Sequence, residues 1–499
     1  MNRKTFIKTL SGAAVATVAL TSVQKAEAKE IHHGATSSLR EYKNWVSPLI
    51  YCVGKNVKVS IELQEHEKKN LDRLCIRCVS NDGLLLDNKT RLNEQKTPSM
   101  KFEISKDGKY AILQAKFLCE GRFVFDVAVK NKQGRVVFGK KSRRFLGVYA
   151  LEQDYFELRP FKGDTHMHTK PHSDGRVTVK EAVVACLGHG MDYMSVSDHS
   201  NYKGSQEAIA VTKDLPLHIK NFPAEEIHFS HMHMHSFGAR ESLTDYVKKH
   251  KKEFDNRIKE VIATLKDVNL SDFDKRALAT LEVEAEYVHK LGGLCYLNHP
   301  GWRIHNWYDG KGMHSTSSIP LVQEALKRGK FDALELANGI SSGEFTYHHY
   351  YRMLIDGKCK EMPIVGNSDG HGRNEYGTSY TIAFAKPSAT LQDIKDAIMQ
   401  KRTAVVDAVR FITQPNGNIM TTYYSVGEFN RPRIFGNTRN YNFANFLLEE
   451  YFPVHDVLCE KEAEALDEYF KNPTDDAKAK IAKCAEAVKA FQESSYQQI

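Results

Sequence analysis

The sequence predicts an α/β protein with a strand–helix barrel at its centre, a small all-β sandwich before it and a helical extension after it. Residues 40–150 break into short β-branched and aromatic runs separated by turn signals. Over residues 161–410, short apolar runs alternate with segments of helical periodicity. Several of those apolar runs end in Asp, Asn and His, as strands do where they open onto an active site.

Residues 1–28 read as a secretory signal peptide, which predicts an exported protein, periplasmic or secreted. Arg3, Lys4 and Lys8 give a basic start, an apolar run extends from Leu10 to Val23, and Ala26-Glu27-Ala28 supplies a cleavage signal. That run is too short to span a bilayer, and no later stretch reaches spanning length.

In residues 40–150, NVKVSIEL, DRLCIRCVS, GKYAILQAKFL, GRFVFDVAVKN and GRVVFGKKSRRFL read as strands. Asn81-Asp82-Gly83 and Lys132-Gln133-Gly134 supply turns between them, and the set predicts a small sandwich. No acid, base or ligand residues cluster there, so the region reads as an accessory domain. Cys75 and Cys78 form a C-x-x-C inside an apparent strand, where residues three apart point to opposite faces. They read as buried free thiols. The chain's nine cysteines are odd in number and irregularly spaced, which argues against a disulfide framework.

Beyond Phe161, VTVKEAVVACLGHG reads as a helix and MDYMSVSD as a short buried strand. Helices over about 245–268 and 273–291 lead to the strand GGLCYLNHP. The helices IPLVQEALKRGK, FTYHHYYRMLIDG and TLQDIKDAIMQKR then lead to the strands FDALELANG, PIVGNSDGHG and TAVVDAV. Such units predict a parallel sheet, closed or nearly closed into a barrel. Its strand ends, Asp198-His199, Asn298-His299, Asn338 and Asp369-Gly370-His371, would meet at one mouth. Residues 411–499 read as polar and irregular at first, then as a helical appendix covering one face of the barrel.

A net charge of +8, from 70 Lys+Arg against 62 Asp+Glu, is slight for 499 residues. With no Arg-rich stripe interleaved with aromatics, there is no clear nucleic-acid signal. The cluster KKHKKEF at 248–254 reads as a solvated helix face.

The chemistry is concentrated elsewhere. His166-x-His168 on an extended segment puts two imidazoles on one side, because side chains alternate along a strand. In AEEIHFSHMHMHSFG, His231, His233 and His235 alternate with Met232 and Met234, and Glu226 lies just upstream. Imidazole mixed with carboxylate suits Zn, Fe or Mn, whereas Ca and Mg favour oxygen shells.

Taken in order, H-x-H, S-D-G, S-D-H, a Glu followed by a His-rich strand, N-H-P and S-D-G-H resemble the PHP (polymerase and histidinol phosphatase) superfamily. The likeness covers residues 161–410 and is strongest to the stand-alone metal-dependent phosphoesterases. It implies a distorted (β/α)7 barrel with two or three divalent transition-metal ions, Zn, Mn or Fe. By that resemblance His166, His168, Glu226 and Asp369 hold one ion, and Glu226 bridges to a second held by His233 and His299. Asp174, His199 and His371 take a third. Met232 stands where the family has glycine, which leaves His231 and His235 as competitors of His233. Glu226 is chosen over Glu225 for its place in the family's Glu-Ile/Val pattern, and the long insertion after Gly238 reads as a lid.

The implied activity is hydrolysis of a phosphomonoester or phosphodiester, on a small phosphorylated substrate, by a metal-activated water. Glu226 and Asp369 complete the catalytic set, and His172 and His199 are the candidate proton donors. Lys170, Trp302, Arg303 and Arg373 flank the ligand motifs as candidate substrate contacts. An amidohydrolase-type C–N hydrolase shares the H-x-H, but no well-placed bridging lysine is found. A non-catalytic metal-containing binding protein would be expected to have lost ligands, and here every ligand position is filled.

Overall fold

The computed structural model describes residues 46–80, 99–135, 143–300, 318–339, 343–407, 409–413, 419–423 and 433–498. The leader read at 1–28, the Asn81-Asp82-Gly83 turn, Trp302 and Arg303 lie outside the described residues.

The first part holds β1 (Val46–Ser47), β2 (Ile50–Cys52), β3 (Asn56–Glu62), β4 (Leu74–Ser80), β5 (Phe102–Ile104), β6 (Tyr110–Lys116), β7 (Gly121–Val129) and β8 (Arg143–Leu151). They form two four-stranded sheets, ordered β1-β3-β6-β5 and β2-β8-β7-β4. In β3, Val57, Val59 and Ile61 are buried while Asn56 and Lys58 are exposed, the alternation of a strand with one face on a core. Val59, Ile61 and Leu113 from one sheet join Ile76, Phe125, Val127 and Val148 from the other in that core. Lys132-Gln133-Gly134 makes the turn read from the sequence, with Gly134 at φ 75°. Asp126 is fully buried, held by Arg77 and, at 2.7 Å, by Arg143 Nε. All nine cysteines are free, Cys75 buried and Cys78 half-buried.

The central part begins with β9 (Arg159–Asp164), β10 (Tyr193–Met194), β11 (Lys220–Asn221), β12 (Ala224–Ile227) and β13 (Met234–Phe237). It continues with β14 (Leu294–Leu297), β15 (Ala333–Asn338), β16 (Ile364–Asn367), β17 (Ser379–Ala385) and β18 (Thr403–Asp407). Near the end of the chain lie β19 (Val409–Thr413), β20 (Ile419–Tyr423) and β21 (Arg433–Phe435). Two sheets result, β11-β10-β9-β17-β18-β21 and β12-β13-β14-β15-β16. Pairing is parallel along β9-β10-β11 and β14-β15-β16. It is antiparallel where β12-β13-β14, β9-β17 and β17-β18-β21 meet. The all-parallel sheet expected from repeated strand–helix units is therefore corrected to two mixed sheets. The reason is local: MHMHSFG turns back on AEEI as a hairpin, and SYTIAFA, unread as a strand, pairs with TAVVDAV.

The two sheets meet along two seams. At one, Glu226 N donates to Ser197 O (3.0 Å) and Ser200 N to Glu226 O (2.7 Å). At the other, Thr381 Oγ1 bonds both the amide and the carbonyl of Gly366, at 2.9 and 3.0 Å.

Helices α1 (Val179–Gly188), α2 (Lys203–Thr212), α3 (Leu243–Lys249), α4 (Lys251–Thr264) and α5 (Asp272–Lys290) follow the strands named before them. Then come α6 (Ile319–Arg328), α7 (Gly343–Ile355) and α8 (Leu391–Met399). Thr178 caps α1 through a reciprocal box with Glu181. The insertion after Gly238 folds as α3–α5, with Phe254, Ile258 and Val261 buried in one cluster with Met234 and Leu297. It forms a packed helical layer on the sheet, and Lys248, Lys249, Lys251 and Lys252 stay exposed.

At the C-terminus, β19 and β20 pair antiparallel where an irregular segment was expected. Helices α9 (Thr438–Phe446), α10 (Phe452–Lys471) and α11 (Asp475–Ser494) follow. They lie between the sandwich and α1: Leu49 N and Ile50 N both donate to Ser495 O at 2.9 Å, and one apolar cluster runs from Val46 through Val183 to Tyr496. Arg122 on β7 pairs with Glu449 and, at 2.9 Å, Glu450.

Gly163, on β9 just ahead of His166-x-His168, is a glycine because of packing. A Cβ there would overlap the buried Tyr193 ring of the neighbouring strand. Gly163→Ala is expected to destabilise the fold by about 1–3 kcal/mol, the usual cost of overpacking a core. Chemical denaturation measures it, and an unchanged midpoint would contradict this packing.

Candidate metal centre

The strand ends supply the ligands. Leaving β9, the chain stays extended through Thr165, His166, Met167 and His168, so Met167 faces the apolar core while both histidines face the opposite side. Asp164 and Asp198 hold this segment from behind. Asp198 accepts from Thr169 N (2.6 Å) and Thr169 Oγ1 (2.9 Å), and Asp164 from Ser368 N (3.1 Å) and Gly377 N (2.9 Å). Burial pushes the Asp164 carboxyl up to about 6.

Glu226, on β12, is completely buried at the centre. Its Oε1 lies 3.0 Å from His233 Nδ1 and 3.0 Å from His299 Nε2. Its Oε2 lies 3.3 Å from both His166 Nε2 and His168 Nε2, and 2.9 Å from His199 Nδ1. The two oxygens thus face different histidine sets. Asp369 closes the arrangement, with Oδ1 3.3 Å from His166 Nε2 and 3.0 Å from His168 Nε2, and Oδ2 3.8 Å from His299 Nε2. Beyond His168, Asp174 Oδ2 lies 3.3 Å from His371 Nε2 and 3.7 Å from His199 Nε2.

The ambiguities left by the sequence separate in space. Glu225 points to the other face of β12, where Ser242 Oγ (2.9 Å) and Thr244 N (3.1 Å) donate to it. His231 stacks on Phe273 and lies 3.7 Å from Asp274. His235 is buried beneath His166 and stacks on Tyr296. Of the three alternating histidines, His233 is the one that reaches Glu226. His172 stands apart, its Nε2 2.7 Å from Glu207 on α2.

Several residues of the centre carry little signal in the sequence. His228, just past β12, packs against His199 and His233 with ring centroids 4.8 and 5.1 Å away. Burial and those two neighbouring imidazoles push it down to about 4. Glu335 is buried on β15, with Oε1 2.8 Å from His166 Nδ1 and Oε2 accepting from His299 N at 2.8 Å. With Nδ1–H given to Glu335, His166 keeps its Nε2 lone pair for the centre. Asn367 and Asn338 in turn donate to Glu335, at 3.0 and 2.9 Å. The signal for Glu335 was a single charge within the apolar run ALELAN.

Backbone strain gathers here as well. Ser200 (φ 46°), His299 (φ 22°) and Asp369 (φ 51°) occupy the left-handed region without being glycine. Such residues cost about 1–3 kcal/mol each and persist where the surroundings over-determine them.

The donor set fits divalent metal. His166 Nε2, His168 Nδ1, His199 Nδ1 and Glu226 Oε2 are buried without a hydrogen-bond partner among the described residues. His166 Nε2 and His199 Nδ1 converge on Glu226 Oε2, at 3.3 and 2.9 Å, while His168 Nδ1 turns the other way, toward Asp174 at 3.9 Å. Imidazoles gathered with carboxylates in this way suit ions of the Zn, Mn or Fe type.

Burial would raise the Glu226 carboxyl, but His166 and His233 hold it well below the usual carboxylate range. The same contest is won by His166, His299 and His168 for Asp369, which is also lowered. Conversely, burial works to lower His168, and its bonds to Asp369 and Glu226 overcome this and push it up to about 9.

No family model matches the chain. It is 36% identical over 63 residues to DNA polymerase/3'-5' exonuclease PolX of Bacillus subtilis (strain 168), a stretch covering 13% of this chain and 11% of that protein. Among solved structures it is similar to the lesion-specific endonuclease PfuEndoQ of Pyrococcus furiosus, at 13% identity and TM-score 0.31, covering 68% of this chain and 94% of that one. It is also similar to a Bifidobacterium adolescentis protein assigned to the metal-dependent phosphoesterases, at 17% identity and TM-score 0.31, covering 48% and 97%. A Chromobacterium violaceum amidohydrolase is similar at 15% identity and TM-score 0.29, covering 43% and 89%. The PolX match is confined to a short stretch, and the chain spans about a tenth of that protein's length. One fold hosts many chemistries, so function has to come from the residues of the site.

Metal binding should be proton-linked. In the metal-free protein His168 sits above its ordinary 6.5, at about 9, so its imidazolium favours the metal-free fold fully below pH 6.5 and loses that contribution as pH rises through 9. An ion must displace this proton. The Tm gap between metal-loaded and metal-free protein is therefore expected to widen from pH 6.5 to 9. A gap that stays constant or narrows would contradict it. Glu335→Ala, which frees the His166 ring, is expected to weaken metal affinity about 10- to 100-fold, measurable by competition with a chelating dye.

Proposed function

We propose that the protein is a metal-dependent phosphoesterase of the PHP kind that hydrolyses a phosphomonoester or phosphodiester. The observation that carries the reading is the position of Glu226, buried with its two oxygens facing two separate sets of imidazoles. One set would comprise His166 and His168 with Asp369; the other, His233 and His299. Asp174, His199 and His371 would make a third. Two or three divalent ions there would supply Lewis-acid activation of water and neutralise charge on a phosphoryl group.

The chain's own residues set the conditions for that chemistry. Glu226 and Asp369 stay ionised in a buried place because imidazoles surround them, so the site keeps negative charge to balance cations. Glu335 and the Asp369 carbonyl fix the rings of His166 and His371 through their Nδ1 atoms, at 2.8 and 2.9 Å. For the leaving oxygen, His172 and His199 are the candidate proton donors; the His172 ring is held by Glu207, 2.7 Å from its Nε2. Export through the leader, and a small phosphorylated molecule as substrate, complete the proposal.

The test replaces Glu226 with Gln and Asp369 with Asn and assays aryl phosphomono- and phosphodiesters with added Mn or Zn, beside metal content. Each variant is expected to lose about 10- to 100-fold activity or more, with unfolding in excess chelator little changed. Full activity with full metal occupancy in both variants would end this assignment.

A further inference from the structure

At the opposite end of the strands lies a second convergence of ligand-type side chains. Asp192 immediately precedes β10 and His218 precedes β11, so both stand where these parallel strands begin, away from the mouth. His455 and Cys459 come from α10, one turn apart on the same helix face. Asp192, His455 and Cys459 are buried, and the His218 side chain is only 8% exposed.

Four donor atoms lie together. Cys459 Sγ lies 3.5 Å from His218 Nε2, and it lies beside the His455 ring, 3.6 Å from Nε2 and 3.7 Å from Nδ1, so a turn of that ring would bring its Nε2 onto a shared ion. Asp192 Oδ1 lies 3.7 Å from His218 Nε2 and 3.0 Å from His455 Nε2. Zinc bonds of about 2.3 Å to sulfur and about 2.0–2.2 Å to nitrogen or oxygen, at tetrahedral angles, put S···N edges near ~3.5 Å and N···O edges near ~3.3 Å. The two S···N separations match the first figure, and the two N···O separations, 3.0 and 3.7 Å, fall on either side of the second.

The surroundings match too. His218 Nδ1 lies 2.6 Å from Glu462 Oε2, and His455 Nδ1 lies 3.2 Å from Asp456 Oδ1. A carboxylate on the far ring nitrogen is the arrangement that orients a metal-ligating histidine and leaves its Nε2 lone pair facing the ion. Asp456 is itself paired with Lys162 Nζ at 3.0 Å, and Gln492 on α11 donates to Asp192 Oδ1 at 3.0 Å. A dication with one thiolate, one carboxylate and two neutral imidazoles is electrically neutral, which suits a buried place.

We propose that Asp192, His218, His455 and Cys459 form a closed, tetrahedral zinc-type site that pins the C-terminal helices to the base of the strands. It is separate from the centre at the mouth and independent of the reaction proposed there. All four positions are taken by protein, so the site is structural and has no place for substrate.

Cobalt(II) substitution of the full-length protein tests it, because a thiolate-to-cobalt charge-transfer band requires a cysteine ligand and the centre at the mouth contains none. The wild type is expected to show the band, and Glu226→Gln to keep it. Cys459→Ser should lose both the band and one metal equivalent, and its C-terminal helices should become more susceptible to protease. His218→Gln, which retains the thiol, should shift the band and serves if Cys459→Ser does not fold. A metal-saturated wild type without the band, or a band unaltered by both Cys459→Ser and His218→Gln, overturns the proposal and leaves His455–Asp192 as an ordinary buried hydrogen-bonded pair.

Discussion

A carboxylate with no exposure to water is among the most expensive groups a protein can bury, and at the centre of this molecule Glu226 is held ionised in that state. Isolated, such a charge would cost several kcal/mol even after relaxation, or would take up a proton. Here five imidazoles from four separate chain segments approach its two oxygens. The arrangement works only if β12, the residues following β9, β10 and β14, and the residue preceding β13 lie at a common level. Strand order, the Ser197–Glu226–Ser200 hydrogen bonds at the seam and the inward turn of Glu226 relative to Glu225 all serve that condition.

Precision at the mouth comes from groups behind the ligands. Asp164, Asp198, Glu335, Asn338 and Asn367 are buried and tie one strand end to the next through bonds of 2.6–3.3 Å. The left-handed backbones of Ser200, His299 and Asp369 aim side chains that a relaxed strand would send elsewhere. Interactions of this kind fix where the ligand-type side chains stand.

The rest of the chain supports the strands from below and from the side. The apolar cluster shared by the sandwich, α1 and the C-terminal helices makes these parts one packed body. The sandwich is therefore bound up with the helical extension, through Arg122 with Glu449 and Glu450 and through Arg439 with Glu120 and Asp154. It is not a free appendage.

The sequence by itself determined many of the ligand-type residues that gather at the strand ends. H-x-H was legible because an extended segment has a period of two, and the Asp, Asn and His residues after apolar runs were legible because strand ends are where polar groups gather. The sandwich strands were legible from alternation in runs such as NVKVSIEL. Only the tertiary structure decided which of His231, His233 and His235 meets Glu226, since alternation alone gives all three the same side, and the chain's turn after β12 carries His231 away. It also decided that the sheets are mixed, because pairing direction depends on partners that local periodicity does not name. His228 follows no pattern, and Asp192 and His455 lie 263 residues apart before folding brings them within 3.0 Å. Contacts at that separation are made by the packing of helices on strands, and no local rule of sequence contains them.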